Sequence, residues 1–180
     1  MTLAMTPQQR RAFDEDGFII LENLLTAAES NRLAAAADEV VARIQKEKSL
    51  PRETHFQVRN ALAQHDAFLD LIDHPRILPL VIDTIGWNIQ IRTTHLDYRP
   101  PYPDDLEAGA VGSGKGADSE AGYRNTAWHP DLASPEIFQA PSLDGRLPFM
   151  EIKVFYPLFD MTESGCGNLW LSPRSHLRTP

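Results

Sequence analysis

The sequence has little cysteine and no long apolar run. Cys166 is the single cysteine among 180 residues, which excludes an intrachain disulfide and a thiolate-cluster metal site. Any metal must therefore be held by histidine and carboxylate side chains. Apolar runs such as 18–21 and 78–82 fall far short of the ~20 residues that a transmembrane helix needs, and residues 1–10 have no apolar h-region of a signal peptide. We expect a soluble, cytoplasmic protein.

Basic residues are in the minority. Lysine and arginine number 17 against 25 aspartates and glutamates, which gives a net charge of −8, and no dense basic stripe runs along the chain. A net negative charge opposes polyanionic partners, so we expect neither nucleic acid nor an anionic membrane as a partner. The hydrophobic share of 42% is enough to bury a core in a chain of this length. We expect a single domain over residues 1–180.

Residues 1–86 predict a mainly helical cover. Thr6 and Thr26 each begin a capping box, and the second helix is predicted to extend to about Lys48 with its apolar residues on one stripe. Between these helices the apolar run 18–21 predicts a short buried strand. Residues 66–85 predict two helical pieces broken around His74-Pro75, because a residue before proline is pushed out of the α region.

From residue 87 onward the pattern predicts strands. The alternate positions of 87–99 share one face, which turns from apolar to polar toward its C-terminal end: Ile89, Ile91, Thr93, His95, Asp97 and Arg99. Further strands are predicted around 127–132, 149–160 and 168–171, and residues 100–122 predict a flexible loop rich in proline and glycine. Helices followed by short strands predict an α+β fold with a mainly β core, an antiparallel sandwich or barrel.

His129-Pro130-Asp131 is the sharpest chemical feature of the sequence. Residues two apart in a strand point the same way, so the His129 imidazole and the Asp131 carboxylate can converge on one ion. They are two of the three ligand types in the facial triad that holds non-haem Fe(II). His95-Leu96-Asp97 has the same spacing in a strand context, and a surface turn at 128–131 is a further interpretation. Periodicity alone does not separate these alternatives.

The order of segments around these pairs resembles the phytanoyl-CoA dioxygenase family, including its ectoine hydroxylase branch. The resemblance rests on FDEDGFI at 13–19, YRPP at 98–101, TAWHPD at 126–131, KVFYPLFD at 153–160 and GNLWLSPRSH at 167–176. It implies a double-stranded β-helix, or jelly roll, in residues 87–180, preceded by the N-terminal helices. It also implies an enzyme that uses Fe(II), 2-oxoglutarate and O₂ to hydroxylate a small-molecule substrate.

The same resemblance assigns roles to individual residues. It makes His129 and Asp131 the iron ligands, and it places the cosubstrate 2-oxoglutarate among four residues: Thr93, Asp97, Arg99 and Phe155. Arg99 is the basic residue that reaches the cosubstrate, whereas a carboxylate at Asp97 would repel a dicarboxylate unless Arg99 or a proton neutralised it. We expect His95 to line the same pocket.

Two departures from the family pattern lie near the C-terminus. The family's third iron ligand is a histidine on a strand beyond the segment that holds His176, followed by a basic residue that binds the distal carboxylate of 2-oxoglutarate, and the sequence ends at Pro180. We therefore expect a jelly roll that is incomplete at its C-terminal end, from a fragment of an enzyme; the alternative is a non-catalytic jelly-roll binding module. Arg174 replaces a family glycine, which costs that turn its easy access to positive φ.

Overall fold

The computed structural model describes residues 4–99, 151–162 and 168–177. These ranges form an α+β structure, as predicted. The α-helices are α1 (Pro7–Asp16), α2 (Ala27–Lys48) and α3 (Leu78–Ile85), the strands are β1 (Phe56–Arg59) and β2 (His95–Tyr98), and short 3-10 helices span Ala61–Ala63, Asp66–Leu71 and Ser175–Leu177. The predicted strand at 127–132 and the predicted loop at 100–122 lie outside the described residues.

Both predicted capping boxes are confirmed. The backbone N–H of Gln9 donates to the Thr6 hydroxyl at 3.2 Å, and the Thr6 N–H donates to the Gln9 side chain at 2.9 Å. Thr26 and Glu29 make the same reciprocal pair at the start of α2. Each pair satisfies two backbone donors or acceptors that helix geometry leaves open, so the local sequence alone fixes both helix starts.

Helix α2 carries the core on one face. Four of its residues are buried on a single stripe: Leu33, Ala36, Ala37 and Val40. They pack with Val58 of β1 and with Phe68 of the second 3-10 helix, and Leu96 of β2 packs against the same cluster. Fully burying an aliphatic or aromatic side chain contributes about 1.5–3 kcal/mol. This cluster therefore holds the two strands against α2.

The two strands pair antiparallel. Their register is Phe56↔Tyr98, Gln57↔Asp97, Val58↔Leu96 and Arg59↔His95. Residues directly opposite each other share a face, and successive residues alternate between faces. Since Val58 and Leu96 face α2, the other face carries Gln57, Arg59, His95 and Asp97.

The helical pieces predicted on either side of His74-Pro75 are confirmed, at Asp66–Leu71 and Leu78–Ile85. Several strand predictions are wrong. Residues 18–21 form no strand, and Ile20 is 78% exposed. Only His95–Tyr98 of the run 87–99 is paired, and the described parts of 149–160 and 168–171 carry no ladder. Apolar alternation favours extended backbone, whereas a ladder also needs a neighbouring strand in register.

Long-range polar contacts join the two ends of the described chain. Arg10 of α1 forms an ion pair with Asp83 of α3 at 2.7 Å. The backbone N–H of Arg174 donates to the carbonyl of Asp16 at 3.0 Å, so the turn before the last 3-10 helix packs against the end of α1. None of the helices in the described part of the chain has the length and apolar character that a membrane crossing requires.

Candidate functional site

The candidate site is the face of the β1–β2 sheet that is turned away from α2. We call it the polar face and define it by four side chains: Gln57, Arg59, His95 and Asp97. All four residues are exposed, while Val58 and Leu96 between them pack into the core. The strands therefore separate apolar from polar residues by strict alternation, and the polar face is available for a ligand.

Hydrogen bonds fix two members of the polar face. The Gln57 amide Nε2 donates to Oδ1 of Asp97 at 3.0 Å, across the strand pair. His95 Nε2 lies 3.0 Å from the Thr93 hydroxyl oxygen, in hydrogen-bonding contact. The structure therefore brings Thr93, His95 and Asp97 to one side of the strand, as the sequence predicted. Within the described ranges no group of three metal-binding side chains is assembled, so His95 and Asp97 lack a third ligand there.

Two guanidinium groups at this face are uncommitted. Arg59 lies opposite His95, and Arg99 follows β2 by one residue, where strand alternation gives it the side of Asp97. Neither side chain forms a hydrogen bond or an ion pair with a described residue. By contrast, Arg32 pairs with Asp70 and Arg92 with Glu151 elsewhere on the surface. Free guanidinium groups on a polar sheet face suit a carboxylate or another planar anion.

Phe155, the fourth predicted cosubstrate residue, lies on a separate segment. The ion pair between Arg92 Nη1 and Glu151 Oε2, at 2.5 Å, brings the start of segment 151–162 beside the approach to β2. Four residues later the Phe155 ring is 51% exposed, whereas Leu158 packs against the core cluster. The outward position of Phe155 is consistent with the predicted alternation of this segment, and its contact with the cosubstrate stays a prediction.

Tyr156, next to Phe155, faces the other way. Its phenol oxygen is buried and has no hydrogen-bond partner within the described residues. Burial raises the pKa of Tyr156 to about 12, because the phenolate would lose its hydration. The phenol therefore stays protonated at neutral pH and serves as part of the packed side of the segment.

The proposed iron ligands His129 and Asp131 lie outside the described residues, so their assignment stays a prediction. The sequence reasoning missed Gln57 and Arg59, because strand β1 has only four residues and lies within a helical region. The signal was present in the alternation of Phe56 and Val58 with Gln57 and Arg59. A four-residue alternation is too short to be read as a strand without its partner.

Comparison with known proteins agrees with this organisation. The sequence matches the family model for phytanoyl-CoA dioxygenase over residues 13–180. It is 29% identical over 101 residues to an ectoine dioxygenase of Nocardia farcinica (strain IFM 10152), a match that covers 53% of this chain and 34% of that protein. The match therefore spans about a third of the relative's length. No solved structure matches the chain.

Proposed function

The chain belongs to the phytanoyl-CoA dioxygenase family, and on that premise we propose that it forms part of an Fe(II)- and 2-oxoglutarate-dependent dioxygenase that hydroxylates a small molecule. We place the β1–β2 sheet in the wall of a jelly roll, with the polar face toward the ligands. The single observation that carries this proposal is the division of the sheet: one face packs on α2, and the other presents two uncommitted arginines. A sheet of this kind suits the wall of a ligand cavity.

Arg99 is the residue that we assign to 2-oxoglutarate. Its guanidinium group can bind a carboxylate through two parallel N–H bonds, and charge-assisted bonds of this type are about twice as strong as neutral ones. The Thr93 hydroxyl, already oriented by His95 at 3.0 Å, offers a further polar group on the same side of the strand. Phe155 would supply an apolar wall against the carbon chain of the cosubstrate.

His129 and Asp131 are the side chains that we assign to iron. An imidazole nitrogen and a carboxylate oxygen suit Fe(II), which keeps open positions for an organic cosubstrate and O₂. The competing pair is less suited, since Asp97 already accepts a hydrogen bond from Gln57 and His95 contacts Thr93. When bound, iron and 2-oxoglutarate supply the oxidising chemistry; the polypeptide binds, orients and shields the reactants.

The iron assignment is tested by anaerobic calorimetric titration of the chain with Fe(II). We expect His129→Ala and Asp131→Ala to weaken binding at least tenfold, because each removes a direct ligand. His95→Ala and Asp97→Ala are matched controls, since they remove the same residue types at the same spacing, and they should leave the affinity within about twofold. Metal binding that is lost in the control pair and kept in the His129 and Asp131 variants would reverse the assignment.

The cosubstrate assignment is tested by titration with 2-oxoglutarate. Arg99→Gln should raise the Kd about tenfold or more, because a hydrogen bond to a charged group contributes about 1.5–3 kcal/mol. Arg92→Gln is the matched control, since Arg92 already pairs with Glu151. Equal losses in both variants would indicate nonspecific charge attraction. A wild-type chain that binds neither Fe(II) nor 2-oxoglutarate would favour the non-catalytic binding module.

A further inference from the structure

Asp97 has two possible partners on the polar face. Gln57 lies directly opposite on β1, and Arg99 lies two residues further along the chain of Asp97 itself. The structure resolves this competition: the Gln57 amide donates to Asp97 Oδ1 at 3.0 Å, and Arg99 forms no ion pair with a described residue. The carboxylate is therefore held across the strand pair rather than along its own strand.

The alternative pairing is physically accessible. Residues two apart on one strand are about 6–7 Å apart at Cα, a distance that a long arginine side chain spans easily. An arginine–carboxylate pair is also intrinsically stronger than an amide–carboxylate bond. Gln57 prevails because residues opposite each other bring their Cβ atoms to about 4.5–5.5 Å, so that its amide reaches Asp97 at little cost in side-chain order. Without Gln57, the guanidinium of Arg99 is the nearest remaining cation along the strand.

We propose that Gln57 is a positioning residue: by holding Asp97 toward β1, it keeps the guanidinium group of Arg99 free for an anionic ligand. The identity of that anion as 2-oxoglutarate rests on the proposed function, whereas the competition for Asp97 does not. The arrangement also accounts for an acidic residue beside an anion site. Asp97 is held by a neutral amide, so that neither Arg99 nor a proton is consumed in satisfying it.

The test compares Gln57→Leu, Asp97→Asn and the double variant with the wild-type chain. The first readout is the Nε–H signal of Arg99 in NMR spectra recorded without ligand. In Gln57→Leu this signal should shift toward that of an ion-paired arginine, and in the double variant it should return to its wild-type position, because no carboxylate remains to capture Arg99. Gln45→Leu is the matched control, since it removes another amide donor, bonded to the Arg52 carbonyl at 3.3 Å, from a helix remote from Asp97.

The second readout is the Kd for 2-oxoglutarate. Gln57→Leu should raise it about two- to fivefold, the range that an exposed competing ion pair supports, and the double variant should match Asp97→Asn. A loss that Asp97→Asn does not restore, or an Arg99 signal that stays in place in Gln57→Leu, would overturn the positioning role. If the Arg99 signal responds as expected but the wild type does not bind 2-oxoglutarate, the positioning role is supported and the proposed function fails.

Discussion

His176 occupies the space that a side chain at position 17 would need. A Cβ atom built on Gly17 overlaps Nδ1 of the His176 imidazole and lies 3.0 Å from its Cε1. Gly17 is also the C-cap of α1, with a φ of 89°, and His176 Nε2 lies 3.1 Å from the Asp14 carbonyl oxygen one turn earlier. Glycine at this position is therefore required by the backbone and by the docked imidazole.

Gly17→Ala should destabilise the chain by about 2–5 kcal/mol. The left-handed backbone costs a residue with a Cβ about 1–2 kcal/mol, and overlap with a packed ring adds about 1–3 kcal/mol. Urea denaturation of the two proteins measures the difference. Adding His176→Ala removes the overlap but keeps the backbone strain, so the double variant should be more stable than the sum of the two single changes predicts by at least about 1 kcal/mol. Additive effects would mean that the imidazole does not press on position 17.

Arg174→Gly should stabilise the chain by about 0.5–1 kcal/mol. The sequence comparison indicates a glycine at this turn, and Arg174 has a φ of 65° in the structure. The change removes left-handed strain of about 1–2 kcal/mol, and the greater freedom of an unfolded glycine offsets part of the gain. The backbone bond from Arg174 N–H to the Asp16 carbonyl is kept. A Tm that falls in this variant would contradict the strain argument.

Two tyrosines differ in whether the phenol is partnered. Tyr98 donates to the Arg52 carbonyl at 3.0 Å, so Tyr98→Phe should cost about 1 kcal/mol. The Tyr156 oxygen has no such partner among the described residues, so Tyr156→Phe should change stability by less than about 0.5 kcal/mol at pH 7. Chemical denaturation of both variants makes the comparison. A larger loss in Tyr156→Phe than in Tyr98→Phe would contradict it.

The same pair predicts an alkaline dependence. The folded-state pKa of Tyr156 is raised to about 12 from an ordinary value of 10.0, so its contribution is fully present below pH 10 and is lost as the pH rises toward 12. Wild-type stability should therefore fall relative to Tyr156→Phe between pH 9 and pH 11, by an amount that denaturation curves at the two pH values measure. A constant difference between these proteins would mean that the phenol is hydrated in the folded state.

The two capping boxes should respond differently to acid. Hydrogen bonds from the Thr26 hydroxyl and backbone lower the pKa of Glu29 below its ordinary value of 4.5. A lowered carboxyl pKa contributes stability above pH 4.5 that is lost as the pH falls through the folded-state pKa. Thr26→Ala should thus lower Tm more at pH 7 than at pH 3. Thr6→Ala is the control, because its partner Gln9 does not titrate, and its cost of about 1 kcal/mol should not vary with pH. Equal pH dependence in both variants would contradict the assignment.

The sequence determined the features that neighbouring residues settle among themselves. Thr6 and Thr26 with their partners three residues later fixed two helix starts, and Pro75 fixed the break before α3. Alternation placed Thr93, His95 and Asp97 on one side of the strand, because the period of an extended backbone is independent of its surroundings. The order of short motifs carried the family assignment, which the match over residues 13–180 confirms.

Only the tertiary structure decided which residues meet across the chain. The pairing of Gln57 with Asp97, the docking of His176 on Gly17 and the absence of a strand at 18–21 all depend on segments distant in sequence. Strand pairing needs a partner in register, and register is set by packing Val58 and Leu96 against α2 rather than by the local pattern. The polar face therefore follows from alternation once the core chooses which side of the sheet to cover.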